Sequence, residues 1–91
     1  MNREVIKEKL LSLCANVFKA SEVDTDLLEY MDFAEDLGMD SITFITLIVE
    51  VESCFDVTVP DDLLLMDNFK NVAGVIAIVD YLMQNKKTDE E

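Results

Sequence analysis

Residues 37–55 read LGMDSITFITLIVEVESCF, a sharp turn followed at once by a long apolar run. Gly38 lets the backbone adopt a conformation that a Cβ resists, so the chain can reverse direction just before the run. Asp40 and Ser41 are both helix-capping residues, and a hydroxyl held at a helix start stays exposed rather than packed. At about 100° per residue, the run from Ser41 to Phe55 makes a helix with two apolar faces. Phe44, Leu47, Ile48, Val51 and Phe55 form the wide face that belongs in a core. Ile42, Ile45 and Val49 form a narrower one beside Ser41, predicted to be exposed as a docking strip.

Outward from this helix, the rest of the chain supplies its packing partners. Ile6, Leu10, Leu13 and Val17 recur at steps of four, three and four, which predicts an amphipathic first helix from Asn2 to about Lys19. Ala20 to Asp40 has no steady period and carries eight acids. It reads as a long ordered loop with one short turn of helix, anchored by Leu27, Leu28, Phe33 and Leu37, and loops of that length in compact domains usually have a function. After the central helix, Asp56 to Pro60 is a connector with Val57 and Val59 extended. Pro60 is placed to open a short helix at Asp61 and Asp62, with Leu63 to Met66 as its buried turn. Val72, Val75, Ile76, Val79, Leu82 and Met83 predict a final helix from Lys70 to about Gln84, with Gly74 a mild cost or a close-packing point. The expected fold is all-α: a four-helix bundle of three main helices and one short helix, with a long loop between the first and second main helices. Residues 1–84 form one domain, and residues 85–91 a polar, frayed tail.

The charge is −13, and between Ala20 and Phe69 there are fourteen acids and no Lys or Arg. Nucleic acid and anionic membrane surfaces are thereby excluded as partners, and basic proteins favoured. With 51% hydrophobic residues in regular register, a disordered acidic segment is a poor account. The apolar stretches are too short to cross a bilayer. Cys14 and Cys54 lie forty residues apart with no CxxC pair, and no apolar signal core opens the chain. A reduced, cytoplasmic, soluble protein with idle thiols is expected.

Ser41 has no means of becoming a nucleophile by itself. The chain contains no histidine, and no lysine stands near Ser41 in sequence, so the usual activating bases are missing. Two distant cysteines without histidine cannot supply a standard closed zinc site. The acid-rich loop suggests calcium, but placing Gly38 at the sixth position of an EF-hand loop puts Phe33 where the first acidic ligand must be. Only weak divalent binding is left, and no metal site is assigned. A serine that cannot activate itself, at a helix start beside acids and an apolar strip, suits modification by another enzyme. A phosphate attached there would meet the favourable end of the helix dipole.

Leu37-Gly38-Met39-Asp40-Ser41-Ile42 resembles the phosphopantetheine attachment motif of the acyl carrier protein family, which also includes peptidyl carrier domains. Phe55 falls fourteen residues after Ser41, with Val59-Pro60 shortly beyond and a long loop before the motif, as the family pattern has them. The resemblance runs from about Val5 to Leu82. It implies that a phosphopantetheinyl transferase attaches 4′-phosphopantetheine from coenzyme A to Ser41 through a phosphodiester, and that the terminal thiol carries acyl groups as thioesters. It further implies a recognition face of Asp40, Ile42, Ile45, Val49 and Glu52. Thr43 and Thr46 stand where fatty acid carriers of primary metabolism typically have acids, which favours a specialised partner set. Phe44 is larger than the residue common at its place, and is expected to narrow the interhelical pocket that shelters acyl chains.

The resemblance therefore implies a stand-alone, monomeric, non-catalytic acyl carrier protein serving a specialised fatty acid or polyketide-like pathway. Its partners would be acyl- or aminoacyl-activating and acyl-transferring enzymes with basic docking surfaces. An aminoacyl or peptidyl carrier of a nonribosomal peptide-type pathway is the alternative within the family. Outside it stands an acidic helical interaction module in which Ser41 is only a cap.

Overall fold

The computed structural model describes residues 2–20 and 24–89. Four α-helices run in chain order: α1 Arg3–Val17, α2 Thr25–Leu28, α3 Ser41–Phe55 and α4 Val72–Asp89. All regular structure among the described residues is helical.

An Asx residue stands immediately before each helix, with its side chain accepting a backbone N–H of the first turn. Asn2 takes the Val5 N–H, Asp24 that of Asp26, Asp40 that of Thr43 and Asn71 that of Gly74, at 2.8–3.0 Å. Each bond satisfies a donor that the helix itself leaves unpaired. At its far end α3 stops on Asp56, in the left-handed region at φ 54°. An aspartate tolerates that conformation better than most side chains.

The core takes Ile6, Leu10, Leu13 and Cys14 from α1, the five predicted residues of α3, and Val72, Val75, Ile76, Val79 and Leu82 from α4. Leu28, Phe33 and Phe69 are also fully buried. The Arg3 guanidinium meets the Asp80 carboxylate at 3.0 Å, tying α1 to α4, and Lys7 Nζ lies 3.5 Å from Glu29 just beyond α2. Exposed pairs of this kind contribute about 0–1 kcal/mol each. The apolar core supplies the main cohesion.

Several sequence expectations are corrected. The short helix is α2, inside the loop, and the expected helix at Asp61 is instead two 3₁₀ turns, Asp61–Leu63 and Met66–Phe69. They are separated by Leu64 and Leu65, whose backbone is not helical. Leu63 to Met66 is not a buried turn: Leu63 and Leu64 are half-buried, and Leu65 is 56% exposed. Phe69 takes the inner place, its ring edge-on to Phe44 with centroids 5.6 Å apart. Leu27 is no anchor at 63% exposure, because Leu28 alone faces the core on so short a helix. Val17 is only half-buried, and Cys14 completes the inner stripe of α1. Finally, α4 runs to Asp89 rather than ending near Gln84, since no glycine, proline or cap intervenes and Gln and Lys are good helix formers. Residues 21–23 of the loop and 90–91 of the tail lie outside the described residues.

Candidate functional site

Ser41 is the first residue of α3 and is exposed. The segment before it sets its position from both sides of Gly38, whose φ of +70° is a left-handed conformation that costs a side-chain-bearing residue energy. On one side, Asp32 Oδ1 accepts the N–H groups of Ala34 and Glu35, while Asp36 Oδ2 accepts that of Asp32. Three acids, Asp32, Glu35 and Asp36, thus sit in a compact turn, two of them as acceptors of backbone N–H groups. The Phe33 N–H donates to the Lys70 carbonyl at 2.7 Å, and its ring lies 4.8 Å from that of Phe18. The loop is fastened by these contacts to the segment before α4 and to the end of α1.

On the other side of Gly38, Met39 is buried and its N–H donates to the Phe33 carbonyl at 2.9 Å. Met39 stands just before the cap residue and Phe44 at the fourth position of α3. Both lie in the same core, which is the arrangement of a hydrophobic staple fixing the angle at which a chain enters a helix. Neither Met39 nor the loop's bond to Lys70 was anticipated. The staple spacing was the available signal for Met39, whereas the Lys70 contact spans 37 positions and leaves no local trace.

Asp40 caps α3 through a 2.8 Å bond from the Thr43 N–H. That bond holds its carboxyl below the ordinary aspartate range. The folded value is depressed, so the cap's stabilisation is present above pH 3.8 and is lost as the pH falls through the folded value.

Ile42, Ile45 and Val49 are 78%, 58% and 55% exposed on α3, so this helix is not buried all round. The Thr46 hydroxyl donates to the Ile42 carbonyl at 3.1 Å. Glu52 is half-buried, and its Oε2 accepts the Val59 N–H at 2.8 Å. One of its oxygens is therefore engaged inside the fold. The structure brings Asp40, Ser41, Ile42, Ile45 and Val49 onto one end and face of α3, with Glu52 at the edge.

The other polar features lie elsewhere. A groove of about 570 Å³ opens between the connector at Val57 and Pro60 and the outer part of α4 at Tyr81 and Leu82. A smaller one between α1 and α3 is lined by Lys9, Asn16, Glu50 and Cys54. Burial pushes the Cys14 thiol up to about 12, whereas Cys54 is exposed. Among the described residues no three His, Cys, Asp or Glu side chains are grouped to hold a metal ion, and no helix is long and apolar enough to cross a membrane.

An exposed hydroxyl at the start of a fifteen-residue helix, with an uncharged face beside it, fits a covalent phosphoryl-linked group. Comparison with known proteins points the same way. A family model described as a phosphopantetheine attachment site matches residues 8–79. An acyl carrier protein of Kocuria rhizophila is 34% identical over 74 residues, covering 80% of this chain and 89% of that one. One from Rickettsia bellii is 31% identical over 83 residues, covering 89% and 91%, and one from Chlorobium phaeobacteroides 30% over 84 residues, covering 92% and 99%. The chain belongs to the acyl carrier protein family, whose members hold a covalently attached 4′-phosphopantetheine.

Proposed function

We propose that Ser41 is the residue that carries the 4′-phosphopantetheine, and that the protein hands thioester-bound acyl groups between partner enzymes in the cytoplasm without catalysing a reaction itself. The observation that carries this reading is the exposed Ser41 at the start of α3, next to the exposed Ile42 and one turn from the exposed Ile45. A phosphopantetheinyl transferase supplies the group from coenzyme A, and Asp40, Ile42, Ile45, Val49 and Glu52 form the face on which it and the acyl-handling enzymes dock. The flexible arm supplies the thiol that bears the cargo. The chain's own residues fix its root, keep Asp40 ionised beside it and exclude the core from it.

The pathway we favour is a specialised fatty acid or polyketide-like one. Thr43 and Thr46 support this, because the docking helix offers a basic partner no charge at those places. Phe44 supports it as well: its ring, packed against Phe69, occupies interhelical space where a long chain would otherwise lie. A long-chain thioester on this protein should therefore be attacked by hydroxylamine about as fast as one on free pantetheine. Full protection would overturn the role given to Phe44.

Intact mass after incubation with coenzyme A and a broad-specificity transferase tests the attachment itself. One added phosphopantetheine on the parent and none on Ser41→Ala is the expected result. Modification of the Ser41→Ala variant, or of neither protein with two different transferases, would overturn it.

A further inference from the structure

We infer that the groove between the connector and α4 seats one extended peptide segment of a partner protein, paired with the Thr58 backbone and laying apolar side chains against Val57 and Leu82. The bonds from the connector to α3 decide which way it offers its own backbone. The Val57 N–H donates to the Glu52 carbonyl at 3.2 Å, and the Val59 N–H to Glu52 Oε2 at 2.8 Å. Burial alternates along the same residues, with Val57 and Val59 buried and Thr58 and Pro60 exposed. A period of two is that of an extended strand, in which successive N–H and C=O pairs point to opposite sides. Val57 and Val59 turn theirs towards α3, so Thr58 turns its N–H and C=O away from it. Among the described residues neither of these Thr58 groups has a hydrogen-bond partner.

A groove lies along that free edge. Thr58 lines the space of about 570 Å³ together with Val57 and Pro60 on the connector and Tyr81, Leu82 and Asn85 on α4. Val57 and Leu82 are buried and give it an apolar floor, while Tyr81 is 56% exposed at its wall. An unpaired donor and acceptor on one residue match a single residue of an antiparallel strand, which exchanges both bonds with it. The neighbours of that pairing residue then point the way Val57 does, onto the floor of the groove. The complementary segment therefore reads apolar, any residue, apolar. The edge is one residue long, which fixes the register: Asp56 on one side is left-handed at φ 54°, and Pro60 on the other has no N–H and gives its carbonyl to the Leu63 N–H. A free strand edge beside pockets for alternate side chains is how proteins take up extended peptides. The groove follows Phe55, at the end of α3 away from Ser41, so the segment seats whether or not Ser41 is modified.

The test is an NMR titration of the isotope-labelled protein with blocked pentapeptides Gln-Xaa-Thr-Xaa-Gln, carrying Val, Leu or Phe at the Xaa positions. At least one should give saturable shifts at Thr58, Tyr81, Leu82 and Asn85, with a Kd below about 10 mM. Replacing the N–H of its central Thr by an ester oxygen should weaken binding several-fold, as loss of one hydrogen bond does. Tyr81→Ala, shown by circular dichroism to be folded, should weaken it as well. Saturation by no peptide of the panel, shifts confined to other residues, or an ester analogue that binds like the amide would overturn the inference. Shifts at the groove that follow protein concentration alone would assign it to a second copy, and saturation by pantetheine but by no peptide would assign it to the arm; either overturns the proposal. Ser41→Ala should bind the peptide like the parent, so failure here leaves the attachment reading standing, and failure of the attachment reading leaves this one.

Discussion

Gly38 and the two cysteines have consequences that can be measured one residue at a time. Nothing lies within 4 Å of a Cβ placed on Gly38, so Gly38→Ala would meet no clash and would cost only the left-handed conformation, about 1–2 kcal/mol in denaturant melts. Gly74 differs in kind, because a Cβ there would stand 3.1 Å from the Asn68 carbonyl oxygen. It is a close-packing point rather than a conformational one. A thiol reagent should label Cys54 alone in the native protein and Cys14 as well once denaturant is added; labelling of both in the native state would contradict the burial of Cys14. The same burial has a pH signature. In the unfolded chain the Cys14 thiol ionises from about 9.0 upwards, while in the fold it does so only near 12. Its folded value is raised, so stability should be intact below pH 9.0 and fall between there and about 12. Lys7, raised by Glu29 and Glu4, adds to that alkaline loss above its ordinary 10.5. Titrating the unfolding midpoint of the parent against Cys14→Ala checks the first contribution.

At the scale of the elements, α1, α3 and α4 are each recognisable from periodicity because each buries one long stripe. The segments between them obey contacts that no local pattern records. Phe33 is fully buried, packs on Phe18 and donates its N–H to Lys70, so Phe33→Ala should cost about 3–5 kcal/mol. A smaller loss in calorimetry would mean that the loop is not held by this residue. Glu52 ties the end of α3 to the connector by a charge-assisted bond. Glu52→Ala should therefore cost about 1.5–3 kcal/mol, whereas a purely surface acid would cost almost nothing.

Across the whole molecule the decisive quantity is the distribution of charge. Fourteen acids without a cation between Ala20 and Phe69 repel one another, and the described ion pairs use only Arg3 and Lys7 from the first helix. Raising ionic strength should raise the melting temperature by screening that repulsion, and a melting temperature that is flat or falling with salt would refute this account.

The sequence by itself determined the three long helices, the five core residues of α3 and the exposed strip opposite them, because the 3.6-residue period sorts inward from outward positions within a single helix. It also determined the turn at Gly38 and the cap at Asp40, which depend on backbone sterics and on a bond across three residues; Ser41, a second capping candidate in the sequence, is instead the first residue of α3. Only the tertiary structure decided that Met39 goes inside and Leu27 outside, that Glu52 holds the connector, and that the residues after Pro60 make 3₁₀ turns around Phe69. Those outcomes depend on which distant side chains fill the same volume and which distant carbonyls face a free N–H, and neither is set by neighbours in the chain.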